Sequence, residues 1–170
     1  MRRRTREEAI ADATRELAML PAKAGGCPLC ALVGGHTPSE VLARSEHAVA
    51  MLDRYPAREG HVVIATRAHV TGVAHLDETA WLDVQRLAHQ AAVALERTLA
   101  PRRTFVAALG SDETLPTSFA HVHVHVVPVF ETGDHARPAK VLSWSSGVGK
   151  YEGDEAALLG DRLRAAWAFR

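Results

Sequence analysis

Residues 119–128 read Phe-Ala-His-Val-His-Val-His-Val-Val-Pro, and the three alternate histidines are the densest concentration of reactive groups in the chain. Successive side chains of a strand point to opposite faces, so His121, His123 and His125 are expected on one face and Val122, Val124 and Val126 on the other. At a rise of ~3.3 Å per residue the imidazoles follow one another at about 6.5–7 Å. Such a row has three uses. It can hold a metal ion, attack a phosphate and move protons around it, or serve merely as a polar sheet face. Histidine is the side chain that changes charge near neutral pH, and this chain has ten.

The second reactive feature is the pair Cys27 and Cys30, the only cysteines present. Two thiolates on one knuckle fill two corners of a tetrahedral zinc site and need two further ligands. The alternative is two reduced, buried thiols. Their close spacing argues against a bridge between distant parts of a secreted fold, which points to the cytoplasm. Met1-Arg2-Arg3-Arg4 runs into Glu7, Glu8 and Asp12 without an apolar stretch, so neither a signal peptide nor a membrane span is expected. Twenty basic and twenty acidic residues cancel. No global field favours a nucleic acid or a membrane surface, and an anionic ligand has to be recognised locally.

Elements must position these groups. Length and a 47% hydrophobic content suit one globular domain. Thr5 and Glu8 form a capping-box pattern, and Ile10, Ala13, Leu17 and Leu20 recur at helical spacing, predicting a helix over 6–20. Short Val- and Ile-rich runs at 40–44, 48–52 and 61–66 read as an antiparallel meander. Asp77 caps a long helix ending near Leu99, before Pro101. Strands are expected at 104–109 and 119–127, and a final helix from Asp154 to Trp167. Trp81 and Trp167 read as core. Arg2 to Arg6 read as a solvated end, and His36, His47, His75, His89 and His135 as surface or capping residues.

The row His121-x-His123-x-His125 followed by two apolar residues resembles the signature of the histidine-triad family. Gly60-His61-Val62-Val63-Ile64-Ala65 resembles that family's glycine-histidine strand, His69 the histidine just after it, and Cys27-Pro-Leu-Cys30 the opening of its zinc-bearing branch. Asp53 falls where the family keeps an acidic residue on the nucleotide ribose. The resemblance implies an α+β fold, an antiparallel five-stranded sheet with flanking helices, here with an extra N-terminal helix. It divides the chain into a helical extension (1–24), the histidine-triad domain (25–130) and a C-terminal tail and helix (131–170).

The resemblance also implies a reaction: cleavage of a nucleoside monophosphate, AMP by family precedent, from a phosphoramidate, a dinucleoside polyphosphate or an adenylated metabolite. His123 would be the nucleophile, with the carbonyl of His121 fixing its tautomer. His125 would manage the leaving-group proton, and His61 would complete the cluster. Asp53 would take the ribose, a strand-end turn carboxylate being the alternative. Ser118 and Thr117 would donate to phosphate, and Val49 or Leu52 would flank the base. Cys27, Cys30, His69 and His121 would close a structural zinc site; no organic cofactor is implied. Two subunits would join through the long helix and a sheet strand. Trp144 would close over the site or simply pack. The chain departs from the pattern at Ala108-Leu109 and at Pro116-Thr117, where many members carry Asn and Gly-Gln. Those losses leave open a non-catalytic nucleotide-binding protein or sensor of the same fold.

Overall fold

The structure, a computed structural model, describes residues 1–110 and 119–167. Strand β1 (Arg2–Arg4) and helix α1 (Arg6–Ala18) open the chain, followed by the short helix α2 (Pro28–Val33). The meander β2 (Val41–Arg44), β3 (Ala48–Leu52) and β4 (Val62–Thr66) leads into the long helix α3 (Glu78–Leu99). Strands β5 (Arg103–Ala107) and β6 (His123–Val129), helix α4 (Pro138–Leu142), strand β7 (Val148–Lys150) and helix α5 (Glu155–Ala166) complete it. The five central strands form one antiparallel sheet in the order β2-β3-β4-β6-β5. The fold is thus α+β with flanking helices, as expected.

Local chemistry accounts for the helix starts. The Thr5 hydroxyl accepts from the Glu8 amide while the Glu8 carboxylate accepts from the Thr5 amide, a reciprocal cap that satisfies two donors otherwise left open. Asp77 accepts from the Ala80 amide at 2.9 Å at the start of α3. Pro28 takes the first position of α2, where a missing N–H costs nothing.

Both faces of the sheet are covered, which is why β3 and β4 are buried along their whole length. On one face Ala50, Ile64, Val124 and Val126 pack against Val84, Leu87, Ala91 and Leu95 of α3 and Leu159 and Leu163 of α5. Removing each large aliphatic side chain there from water stabilises the fold by roughly 1.5–3 kcal/mol. On the other face Val49, Met51, Val63 and Ala65 sit under Leu29 of α2. Further along that face Val127 and Val129 meet Ala136 and Val141. The histidines of β6 lie between these two apolar patches.

Several sequence expectations need adjustment. The helix expected over 6–20 stops at Ala18, and the strand expected over 104–109 spans 103–107. The expected triad strand, 119–127, begins only at His123. The His121 amide instead turns back to the Phe119 carbonyl, the Val122 amide reaches the Val70 carbonyl, and the Thr66 amide at the end of β4 donates to the Val122 carbonyl. The arginine-rich start is mostly exposed, as expected, but it is not a loose end. Its backbone pairs antiparallel with β7, and Arg3 bonds the Ser146 carbonyl at 2.6 Å, so charged side chains stay outside while main-chain groups are satisfied.

Gly60, immediately before His61, has φ +84°. A Cβ there would lie 2.6 Å from Leu99 Cδ1 and 2.9 Å from Leu95 Cδ2 of α3. Gly133 also has a left-handed φ, +69°, but open space around it. Both Gly60→Ala and Gly133→Ala should cost the ~1–2 kcal/mol of a left-handed alanine. Only Gly60→Ala should lose more, through displaced leucines, in a comparison of denaturant midpoints.

Candidate active site and metal site

The register of β4 against β6 sets His125 opposite Val63 and His123 opposite Ala65. His61 sits one residue before β4, on the same face as Val63 by strand alternation. Its Nε2 lies 3.0 Å from His125 Nδ1, and the His123 and His125 rings are 4.9 Å apart between centroids. His123 Nδ1 lies 2.6 Å from the carbonyl oxygen of His121. A carbonyl can only accept, so Nδ1 carries the proton and Nε2 keeps its lone pair.

The backbone fixes the other tautomers. The Ala57 amide donates to His61 Nδ1 at 3.2 Å, which leaves the His61 proton on Nε2. That proton points to His125 Nδ1, so His125 presents an N–H at Nε2. Asp53 Oδ2 lies 3.2 Å from the same His61 Nδ1, and its Oδ1 accepts from the Tyr55 amide at 2.8 Å. Burial raises the Asp53 carboxyl above its ordinary range, and a protonated carboxyl can share that nitrogen without opposing lone pairs. Burial pushes His61 down to about 3 and lowers His125 as well, with the neighbouring imidazoles adding to it. Both are neutral near pH 7.

These groups line a cavity of about 320 Å³. Met51, Leu52 and Val63 of the sheet, Leu29 and Leu32 of α2, and Phe119 form much of its apolar lining. Of the two residues expected beside a base, Leu52 lines the cavity, whereas Val49 is fully buried beneath α2. Met51 was not anticipated, although it is the next residue on Val49's face. Trp144, in a turn at 144–146, lines the cavity and stacks near Tyr55 with ring centroids 5.6 Å apart. Thr117 and Ser118 lie outside the described residues. Leu109, in the region where many members carry Asn, is exposed and belongs to no strand.

His121 departs from the expected row. Its ring, 1% exposed, lies among the cysteines. Nε2 donates to the Thr66 carbonyl at 2.8 Å, so Nδ1 keeps its lone pair, and Nδ1 lies 3.4 Å from both Cys27 Sγ and Cys30 Sγ. His69 Nδ1 lies 3.3 Å from Cys30 Sγ. Tetrahedral zinc with bonds of ~2.3 Å to sulfur and ~2.0 Å to nitrogen puts those atoms roughly 3.5 Å apart. The Cys27, Cys30, His69 and His121 donor atoms all lie within 4.8 Å of one another, and this set fits zinc. Burial and the adjacent Cys27 push the Cys30 thiol up to about 11, an opposition to ionisation that a divalent cation reverses. His36, His47, His75, His89 and His135 belong to neither cluster.

A HIT domain profile matches residues 35–132. The chain belongs to the HIT family. It is 32% identical over 108 residues to a HIT-like protein of Mycoplasma genitalium, covering 63% of this chain and 75% of that one. It is 25% identical over 117 residues to the protein hit of Bacillus subtilis, covering 65% and 76%. A zinc-bound histidine-triad protein from Mycobacterium smegmatis shares the fold with a TM-score of 0.66 at 21% identity, covering 85% of this chain and 94% of its own. A hypothetical histidine-triad nucleotide-binding protein from Sulfolobus tokodaii gives 0.66 at 18% identity, over 83% and 91%. HIT proteins are in general nucleotide-binding hydrolases or transferases. Among the described residues, no helix is long and apolar enough to cross a membrane.

Two measurements follow from this geometry. Purified protein should carry about one zinc per chain by atomic absorption, and Cys27→Ser with Cys30→Ser should abolish it and lower the melting temperature. The unfolded chain binds protons at His61 and His125 below their ordinary value of 6.5, whereas the folded protein resists them. Stability should therefore fall as pH drops from 6.5 towards 4, by at most ~1.4 kcal/mol per pH unit for each histidine. Asp53, whose value is raised, acts in the opposite sense from pH 3.8 upwards and offsets part of that loss. Urea midpoints at pH 7 and 5 should lie closer together in His61→Gln than in the parent.

Proposed function

We propose that this protein transfers a nucleoside monophosphate, AMP in the first instance, from a phosphorylated leaving group to water through a nucleotidyl-His123 intermediate. The observation that supports the reading most is the 2.6 Å contact between His123 Nδ1 and the His121 carbonyl. It leaves Nε2 with a free lone pair in the cavity, which is what a histidine nucleophile needs.

In the first displacement His123 Nε2 bonds to phosphorus and the bond to the leaving group breaks. The leaving atom takes the Nε2 proton of His125. His61 replaces it by passing its Nε2 proton to His125 Nδ1, and the Asp53 carboxyl supplies His61 Nδ1, ending as a carboxylate. In the second displacement water attacks phosphorus, the bond to His123 breaks, and the water proton returns along the same chain. Asp53, which also borders the cavity, accepts from the ribose hydroxyls. Ser118 and Thr117 are the candidate donors to phosphate. In this reading the Cys27, Cys30, His69 and His121 site holds zinc as a structural tie, since four protein ligands leave no open position.

The chain is read as cytoplasmic, because its cysteines suit a reduced metal knuckle rather than a disulfide. It is also read as a homodimer through α3 and β5. β5 is an edge strand, and Leu82 of α3 and Val106 of β5 are about half exposed. The stretch around Ala108 and Leu109, which lacks the usual amide, favours a second reading, a binding protein without turnover. Intact-mass analysis after brief exposure to adenosine 5′-phosphoramidate separates the two. The hydrolase reading expects an adenylyl adduct and released AMP. His123→Ala should lose the adduct and more than about 10³-fold in kcat while still binding AMP in calorimetry. Full turnover by that variant, or binding without adduct or product in the parent, would discard it.

A further inference from the structure

The cavity over the histidines is not enclosed by the matched domain alone. Residues 35–132 carry His61, His123 and His125, but both flanks of that segment contribute lining: Ala13, Glu16 and Leu17 of α1 and Leu20 just beyond it, Leu142 and Trp144 after it. The triad motif itself says nothing about the side chains of α1 or about Leu142.

α1 is a fixed boundary rather than a passing tail. Its first turn follows β1, which is paired to β7. Ala9 and Ala13 are buried in one cluster with Tyr55 and Val148, against which Trp144 packs. Arg54, the residue after Asp53, pairs with Glu16 at 3.1 Å. Beyond α1 the chain continues through residues 19–27 into α2, which borders the same cavity.

Displacement at phosphorus places the attacking and departing atoms roughly in line. His123 attacks from the sheet, so the leaving group departs away from the sheet, towards the boundary that the sheet does not supply. The charges on that boundary discriminate. Apart from the histidines, Arg54 is the sole cation among the described lining residues, and Glu16 already engages it. Glu16, on α1, is acidic. A departing phosphate chain meets no lysine and no uncompensated arginine there, whereas an alkyl or aryl group meets leucine and tryptophan side chains.

We propose that α1 and the Leu142–Trp144 segment form, within one chain, a leaving-group wall that selects an uncharged apolar group over a polyphosphate. This rests on the nucleotidyl-transfer reading and specifies the kind of substrate that reading leaves open.

Three donors of the same AMP test it: unsubstituted adenosine 5′-phosphoramidate, its N-arylalkyl derivative and diadenosine tetraphosphate. The expected kcat/KM for the arylalkyl compound exceeds that for the tetraphosphate by at least about tenfold. Leu17→Arg should cut the ratio of arylalkyl to unsubstituted substrate by about tenfold, and Leu17→Met should preserve it. If thermal melts show Leu17→Arg to be unfolded, Trp144→Ala reads the same ratio from the other side of the wall. Equal or better use of the tetraphosphate by the parent overturns the proposal, as does an unchanged ratio in the folded variant. Turnover without discrimination overturns this inference alone. Absence of turnover with all three donors overturns the hydrolase reading and this inference with it.

Discussion

His121 is held from two sides, and both reactive centres depend on how it is held. Its ring is pinned by the Thr66 carbonyl, which takes the Nε2 proton and turns Nδ1 towards Cys27 and Cys30. Its own carbonyl oxygen takes the Nδ1 proton of His123. The residue that completes the cysteine cluster therefore also sets the tautomer of the neighbouring imidazole. A shift of the knuckle would move the ring, the backbone and the acceptor together. Neutral hydrogen bonds of this kind contribute only about 1 kcal/mol each to stability. Their larger effect is geometric, because each removes a choice of tautomer.

From that point the outer sheet face has an order along β6. The cysteine cluster lies just before the strand, His123 and His125 at its start, and Val127 and Val129 under an apolar cover at its end. Covering both ends buries the histidines enough to keep His61 and His125 neutral near pH 7. The formal neutrality of the whole chain fits this local design. No long-range field draws in an anion, and recognition falls to groups within the cavity.

Much of this was legible in the sequence because it is periodic or paired at short range. Alternation placed His123 and His125 opposite Val124 and Val126, and the Thr5 and Asp77 caps marked two helix starts. What was not legible arises from contacts distant in sequence. The start of the triad strand was misplaced because alternation already runs through His121 and Val122, while the His121 amide turns back to Phe119, its ring bonds Thr66 and the Val122 amide bonds Val70. The pairing of Arg2–Arg4 with Val148–Lys150 carries no local signal, since backbone pairing across the whole chain leaves no pattern in arginine side chains. Val49 and Met51 share a face, and only the seat of Leu29 decides which of them stays covered and which borders the cavity.

The sequence by itself determined the chemistry: three histidines at period two, a cysteine pair awaiting two ligands, and a glycine-histidine strand to stand beside them. These follow from residue type and spacing, which one-dimensional pattern preserves. The family resemblance already divided the histidines between the cysteines and the reaction; tertiary structure alone decided how the ring of His121 is held, with its Nε2 on the Thr66 carbonyl and its Nδ1 towards the sulfurs. It alone linked Asp53 to His61, and brought α1 and Trp144 to the same cavity. Those outcomes depend on hydrogen-bond partners and packing surfaces tens of residues away, and a carbonyl or an N–H at such a distance selects a tautomer or a side-chain direction without altering any local pattern.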